Sequence, residues 1–264
     1  MFEEAFNMTD ILSLSHVAKH FENHQVLKDV TFAIPAGQIV GYIGQNGAGK
    51  STTLKIILGL EEPSDGEITI LGQSLHDQRD ALMQRIGYVP ENADIFEALT
   101  ANEYLSFIGQ LYGLTEADAR YKGQQLLTIL DNGDSFNKPI SSFSKGMRQS
   151  VLIIASLLHN PDLLFWDEPL NGLDANTVLI IEEVLGKLRD QGKTIFYSSH
   201  ILDVVQAVSD QILLLHDGQV AAHGTFADLS NSADTTLQQL FNDMTGFKEH
   251  GEKAQAFIDV LGVS

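Results

Sequence analysis

The amino-acid sequence predicts an α/β fold, and three observations carry that prediction. Short apolar runs of strand length recur at 38–43, 163–166, 194–198 and 211–215. Segments with a helical repeat alternate with them, most clearly at 177–188. A glycine-rich stretch, 44–51, joins the first of these runs to a helical segment. Strands that alternate with helices, rather than with hairpin turns, build a largely parallel sheet with helices on its faces.

The elements follow in order. Residues 11–34 alternate apolar and polar side chains around a turn candidate at Asn23-His24, and read as two strands. The run 38–43 is a strand that ends in the glycine-rich stretch, and the helix after it reaches about Leu58. The turn Pro63-Ser64-Asp65-Gly66 precedes a strand at 67–71. A helical block then occupies roughly 98–160. Thr100 and Glu103 form a capping-box pattern, and Tyr104, Ile108, Leu111 and Tyr112 share one helical face. Thr115 and Asp118 mark a second helix start, with Leu126, Leu127 and Leu130 as its apolar stripe. A third helix follows Ser144, carries Val151, Leu152, Ala155 and Leu158, and stops at Asn160-Pro161. The helix at 177–188 turns Ile180, Ile181, Val184 and Leu188 inward. The helical block is therefore an insert in an α/β core. Beyond about residue 233 come two short amphipathic patterns, Leu237, Leu240, Phe241, Met244 and then Phe257, Ile258, Leu261, which read as helices packing on their own domain.

Composition excludes several classes of function. The chain has 264 residues with a hydrophobic fraction of 44%, enough for one sizeable globular domain. No apolar stretch approaches the ~20 residues of a membrane helix. Glu3 and Glu4 stand near the start without a basic-then-apolar leader, so a cytoplasmic protein is expected. The 35 acidic residues outnumber 16 basic ones, and the formal charge of −19 repels phosphate backbones, which argues against nucleic acid as a partner. The absence of cysteine rules out disulfides, thiol nucleophiles and thiolate zinc sites. His16, His20 and His24 recur at intervals of four, but in an extended chain that interval spans ~13 Å, too far for one ion.

Chemistry enters at Gly44-Gln45-Asn46-Gly47-Ala48-Gly49-Lys50-Ser51, which fits the phosphate-loop pattern G-x-x-x-x-G-K-[ST]. Glycines let the backbone curl so that successive N–H groups converge on phosphate oxygens, and the helix that starts near Gly49 adds its positive end. Lys50 supplies charge to the β- and γ-phosphates, the Ser51 hydroxyl can ligate Mg²⁺, and Thr52 follows in the same turn. This motif alone does not separate kinase, GTPase and ATPase. The apolar run Leu163-Leu164-Phe165-Trp166 ends in Asp167-Glu168. Asp167 is placed to hold Mg²⁺ directly or through water, while Glu168 faces another way, toward an attacking water. Pro169 biases Glu168 toward an extended backbone. Phe143-Ser144-Lys145-Gly146-Met147-Arg148-Gln149 heads a helix, where the Ser144 hydroxyl and the following N–H groups make a second anion site.

That last segment, about twenty residues before Asp167, resembles the signature motif of ABC (ATP-binding cassette) transporter ATPases. Further matches follow the family's order: Asn171-Gly172-Leu173-Asp174 resembles the D-loop, Ser198-Ser199-His200 the switch histidine, Gly87-Tyr88-Val89-Pro90-Glu91 the Q-loop, and Phe21 the aromatic that stacks on adenine, with a core aromatic as the alternative there. The resemblance spans about residues 11–230. It implies a P-loop NTPase core with an antiparallel β-subdomain and an inserted α-helical subdomain at about 92–160, an ATPase domain over 1–232, and a helical tail over 233–264. It implies ATP and Mg²⁺ as ligands. Lys50, Glu168 and His200 would be catalytic, and Ser51, Asp167 and Glu91 would hold the metal. It further implies a head-to-tail cassette dimer in which Ser144, Lys145, Gly146, Met147 and Asp174 reach the partner's ATP, and a separate membrane permease driven from the cytoplasmic face.

Two departures stand out. Glu91 occupies a place where most of the family has glutamine, which adds negative charge near the phosphates. Lys145 and Met147 replace the commonest glycine and glutamine, a form that resembles cassettes of bacterial drug, antibiotic and polysaccharide exporters, so export is expected over import. The rival readings are a soluble cassette ATPase acting on ribosomes or DNA, a non-catalytic nucleotide-dependent interaction module, and a P-loop kinase. The first is opposed by the single cassette and acidic balance, the second by Glu168 and His200, the third by the signature segment.

Overall fold

The computed structural model describes residues 10–22, 24–91, 95–230, 235–246 and 250–261. Strands β1 (Asp10–Phe21) and β2 (His24–Pro35) pair antiparallel, with Leu12, Leu14, Val17, Leu27, Val30, Phe32 and Ile34 buried between polar positions. Of the expected turn Asn23-His24, Asn23 lies outside the described residues and His24 opens β2. Strand β3 (Ile39–Gly44) is buried at every position, the signature of a parallel strand covered on both faces. Helix α1 (Lys50–Ile57), β4 (Asp65–Ile70), β5 (Gln73–Ser74), α2 (Leu75–Met83) and β6 (Ile86–Val89) follow. Next come α3 (Ala101–Leu111), α4 (Glu116–Ile129), α5 (Lys145–Leu157), β7 (Leu163–Asp167), α6 (Ala175–Asp190), β8 (Thr194–Ser198) and α7 (Leu202–Val208). The chain continues through β9 (Gln211–His216), β10 (Gln219–Gly224), α8 (Phe226–Leu229), α9 (Leu237–Thr245) and α10 (His250–Leu261). Among the described residues no helix is long and apolar enough to cross a membrane.

One ten-stranded sheet runs in the order β5-β4-β1-β2-β10-β9-β3-β8-β7-β6. Its first four strands are antiparallel neighbours, joined to the rest at the single pair Gln219↔Asp29. Strands β9, β3, β8, β7 and β6 are parallel. Because β6 and β7 lie side by side, all of α3, α4 and α5 sit inside one crossover, which is the inserted helical block expected from the sequence. The parallel strands divide their side chains between two cores. Ile39, Ile43, Leu164, Trp166, Ile195 and Tyr197 face the helical side, whereas Val40, Tyr42, Leu163, Phe165 and Phe196 face the antiparallel side. The period of two thus clamps the central strands between two apolar layers.

Local signals place the helices. Thr100 and Glu103 form the reciprocal capping box, Thr115 Oγ1 accepts from the Asp118 N–H, and Ser144 Oγ accepts from the Met147 N–H at 3.2 Å. Val151, Leu152, Ala155 and Leu158 of the third helical segment are all buried. The stripes on two other helices are rotated from expectation. On α3 the inward line runs through Ala101, Tyr104, Leu105 and Gly109, because α4 packs along it, and Leu111 points to solvent. On α6 the fully covered line is Thr177, Ile181 and Leu185, while Ile180, Val184 and Leu188 sit at its half-buried margins. Leu237 and Leu240 of α9 enter the main core, as expected. Phe257, Ile258 and Leu261 of α10 do not pack on the domain: they are 67%, 41% and 58% exposed.

The rotated α6 stripe sets a contrast for measurement. Leu185→Ala empties a site with no exposure and is expected to cost about 2–5 kcal/mol. Val184→Ala, at the margin, is expected to cost about 1 kcal/mol or less. Urea midpoints of the two variants check this; equal shifts would restore the stripe read from periodicity.

Candidate functional site

The phosphate loop leaves the C-terminal end of β3 and turns directly into α1. Gly49 is the N-cap of α1 at φ 106°, and a Cβ there would lie 2.5 Å from Leu27 Cδ2, so only glycine fits both the backbone and the space. The Lys50 ammonium is held over the loop, donating to the Gly44 carbonyl at 2.5 Å and the Gln45 carbonyl at 3.3 Å. Burial lowers the Lys50 pKa, and the facing carboxylates of Asp167, Glu168 and Glu91 oppose that shift.

Two carboxylates come from the end of β7. Asp167 pairs with Ser198 across the sheet, and the Ser198 hydroxyl donates to its carboxylate. Burial raises the Asp167 pKa, the Ser198 bond opposes it, and Glu91 raises it further. Glu168 is not extended as Pro169 led us to expect: its φ is 51°, in the left-handed region. Two backbone bonds hold it there, from its N–H to the Ser198 carbonyl at 3.0 Å and from the Asn171 N–H to its own carbonyl at 3.1 Å. Such a conformation costs ~1–3 kcal/mol and persists because the surrounding bonds over-determine it. The turn aims the Glu168 carboxylate at the exit of β8, where Ser199 Oγ donates at 3.4 Å and His200 Nε2 lies at 3.5 Å. Burial raises the Glu168 pKa; His200 opposes that shift and Asp167 adds to it. The two acids thus bond to successive residues of the neighbouring segment, Asp167 to Ser198 and Glu168 to Ser199.

These groups surround one cleft of about 500 Å³, lined by Gln45, Asn46, Gly47, Gly49, Lys50, Ser51, Thr52, Glu91, Asp167, Glu168 and His200. That volume suits a nucleotide-sized ligand. Gly44 and Ala48 do not line it: Gly44 ends β3 and Ala48 is buried behind the loop. His24 and Val26 also line the cleft; the sequence marked His24 only as a turn residue and as one of three spaced histidines, and did not mark Val26. Phe21 stands one step from it, as the cross-strand partner of His24; the residue is 41% exposed, and the Lys19 ammonium lies 4.8 Å from its ring centroid. Ser51, Asp167 and Glu91 offer hard oxygen donors. No three of the His, Cys, Asp or Glu side chains among the described residues converge into a ready-made metal cage. Such a donor set fits an ion that draws its remaining ligands from phosphate and water, as Mg²⁺ does.

The other predicted residues are gathered elsewhere. Ser144, Lys145, Gly146, Met147 and Asp174 do not line this cleft. Lys145 Nζ donates to Asn171 Oδ1 at 3.1 Å, and Gly146 approaches Gly172 so closely that a Cβ would lie 2.5 Å from the Gly172 carbonyl oxygen. Asp174 caps α6 by accepting from the N–H groups of Asn176 at 3.0 Å and Thr177 at 3.1 Å. The heads of α5 and α6 therefore form a single ridge.

Comparison with known proteins identifies the family. Residues 27–171 match the family model described as "ABC transporter". The chain is 36% identical over 227 residues to the ABC transporter ATP-binding protein NatA of Bacillus subtilis (strain 168), covering 84% of this chain and 92% of the relative. It is 34% identical over 230 residues to the linearmycin resistance ATP-binding protein LnrL of the same organism, covering 86% and 74%. A solved ATP-binding subunit of an ABC transporter superposes with a TM-score of 0.83 at 34% identity, over 89% of this chain and 99% of that one. The dimeric ATP-binding cassette MJ0796, in a post-hydrolysis state with ADP and Pi, superposes with a TM-score of 0.75 at 27% identity, over 81% and 98%.

Removing the loop's charge tests the cleft directly. Lys50→Ala is expected to weaken ATP binding by about 10- to 100-fold, the value of a charged hydrogen bond of roughly 1.5–3 kcal/mol. Titration with a fluorescent ATP analogue measures it, and unchanged affinity would remove the nucleotide from this cleft.

Proposed function

The chain belongs to the ABC transporter family as an ATP-binding, ATP-hydrolysing subunit, and from that premise we propose that it drives a separate membrane permease by hydrolysing MgATP at composite sites of a head-to-tail dimer. The observation that carries the reading is the convergence of Lys50, Ser51, Asp167, Glu168 and His200 on one cleft. In this reading Gln45–Thr52 hold the triphosphate and Phe21 meets the base. Ser51, Asp167 and Glu91 hold Mg²⁺, which when bound neutralises charge across the phosphates. Glu168 takes a proton from the water whose oxygen bonds to the γ-phosphorus, as the bond from phosphorus to the bridging oxygen of ADP breaks. Lys50 balances charge on the transferring group, and His200, 3.5 Å from Glu168, keeps that carboxylate oriented.

The ridge at the heads of α5 and α6 supports the dimer. Ser144, Lys145, Gly146, Met147 and Asp174 lie outside the chain's own cleft, so a second cassette would have to present them to the nucleotide. MJ0796, a dimeric cassette, supports pairing of two cassettes. Export is favoured by the Lys145 and Met147 variant of the signature and by the linearmycin-resistance name of one relative. We place the protein on the cytoplasmic face of the membrane, with 1–232 as the ATPase domain and 233–264 as its tail.

Glu168→Gln is expected to bind ATP, lose turnover by a factor of about 10² or more, and accumulate as a dimer. Phosphate release and light scattering measure the two effects, and undiminished turnover would remove Glu168 from its role. Purification of the tagged protein from detergent-solubilised native membranes should recover a multi-span membrane protein. Ribosomal or DNA-repair partners in its place would sink the transporter reading and leave the ATPase chemistry intact.

A further inference from the structure

Arg148 belongs to the signature segment, yet it neither lines the nucleotide cleft nor joins the ridge contacts of Lys145 and Gly146. It stands one turn inside α5, where its own N–H donates to the Ser144 carbonyl at 3.0 Å. Its side chain reaches the base of the helical insert. There Nη1 donates to Glu97 Oε1 at 2.5 Å and Nη2 to the Ser141 carbonyl at 3.4 Å. The Arg148 side chain is only a third exposed, and its Nε is covered without a partner. The guanidinium therefore stays in place despite one unmet donor.

The two partners of Arg148 lie on the entry and the exit of the insert. Residues 95–100 lead into α3, and residues 139–143 lead to the head of α5. Backbone bonds lace these runs together: the Ile140 N–H donates to the Leu99 carbonyl at 2.8 Å and the Ser141 N–H to the Glu97 carbonyl at 2.9 Å. Thr100 and Pro139 add an antiparallel bridge, and Ile95, Ile140 and Phe143 are buried in the main core beside it. The insert is thus closed at its base, and Arg148 pins α5 to the closure. A freely solvated ion pair is worth little. This one ties three segments together, because a planar guanidinium that bonds two of them fixes the direction of the helix that carries it. Only one helical turn separates Arg148 from Ser144, so a tilt at the first moves the second.

We propose that Arg148, held by Glu97, is a positioning residue for hydrolysis: it sets the angle at which the head of α5 presents Ser144 and Gly146 to the nucleotide bound by the partner chain. The inference rests on the composite-site reading given above. Its consequence is specific, since loss of Arg148 harms the partner's cleft and spares the cleft of its own chain.

A chain carrying Glu168→Gln serves as a non-hydrolysing partner, so that only the other chain of a pair turns over. Wild-type chain is held at a concentration where it is inactive alone and is saturated with the Glu168→Gln chain. Phosphate release then gives the reference rate. Adding Arg148→Ala to the Glu168→Gln chain is expected to lower that rate about 10-fold or more, the value of one charged hydrogen bond, because the wild-type cleft now faces the altered ridge. With Arg148→Ala moved to the limiting chain, the altered chain's cleft faces an intact ridge and the reference rate is kept. A merely destabilised fold would lose turnover in both arrangements. Equal loss in both, loss in neither, or loss only with the limiting chain altered overturns the assignment. Should Arg148→Ala fail to fold, Glu97→Gln goes through the same two arrangements with the same expectations. If the Glu168→Gln chain itself turns over, or does not activate the wild type, the composite-site reading falls and this inference with it.

Discussion

The pairing of β7 with β8, which sets Asp167 against Ser198, is the constraint on which the rest of the site depends. A shift of one residue in that register would turn Asp167 into the opposite core and lose its hydroxyl partner. It would also break the bond from the Glu168 N–H to the Ser198 carbonyl, which holds Glu168 in its left-handed turn. The register is secured by side chains far from any chemistry. Trp166 and Tyr197 face one core while Phe165 and Phe196 face the other, so a slip would exchange every one of them. Apolar packing on two faces therefore determines where two carboxylates point.

Those carboxylates sit in an unbalanced electrostatic setting. Asp167, Glu168 and Glu91 share one cleft with Lys50 and with the half-exposed His200. Burial disfavours the charge on both Asp167 and Glu168; Glu91 raises the Asp167 pKa further, and Asp167 raises that of Glu168. A cation bound with a polyphosphate would relieve that repulsion, while the loop N–H groups and Lys50 would meet the phosphate charge.

The helical insert has a comparable logic. Because α3, α4 and α5 lie within the crossover between neighbouring strands, α5 starts where the insert returns to the sheet and ends just before β7. Its first residues meet the turn that follows β7 from the other side, through Lys145 with Asn171 and Gly146 with Gly172. A motif at the head of one helix and a motif at the head of the next, separated by a whole strand in the chain, become one surface.

Much of this was legible in the residues themselves. The phosphate loop, the caps at Thr100, Thr115 and Ser144, and the apolar strands depend on interactions within a few positions, which a linear reading captures. Other features depended on what packs from outside. The inward faces of α3 and α6 were misplaced by part of a turn, since periodicity finds a stripe but the neighbouring helix or sheet selects its centre, as Leu111 and Leu185 show. The exposed side chains of α10 follow the same limit, because an amphipathic pattern does not say whether a surface is present to receive it. Local sterics also misled at Glu168, where the preference imposed by Pro169 is outweighed by two backbone bonds, one of them to the next strand. His24 and Val26 reached the cleft through the strand pairing and sheet order that carry the start of β2 to the phosphate loop. The sequence by itself determined which chemical groups this protein carries and which short segments hold them. The tertiary structure alone decided which distant segments share a wall, because strand order and helix packing are set by burial summed over the whole chain.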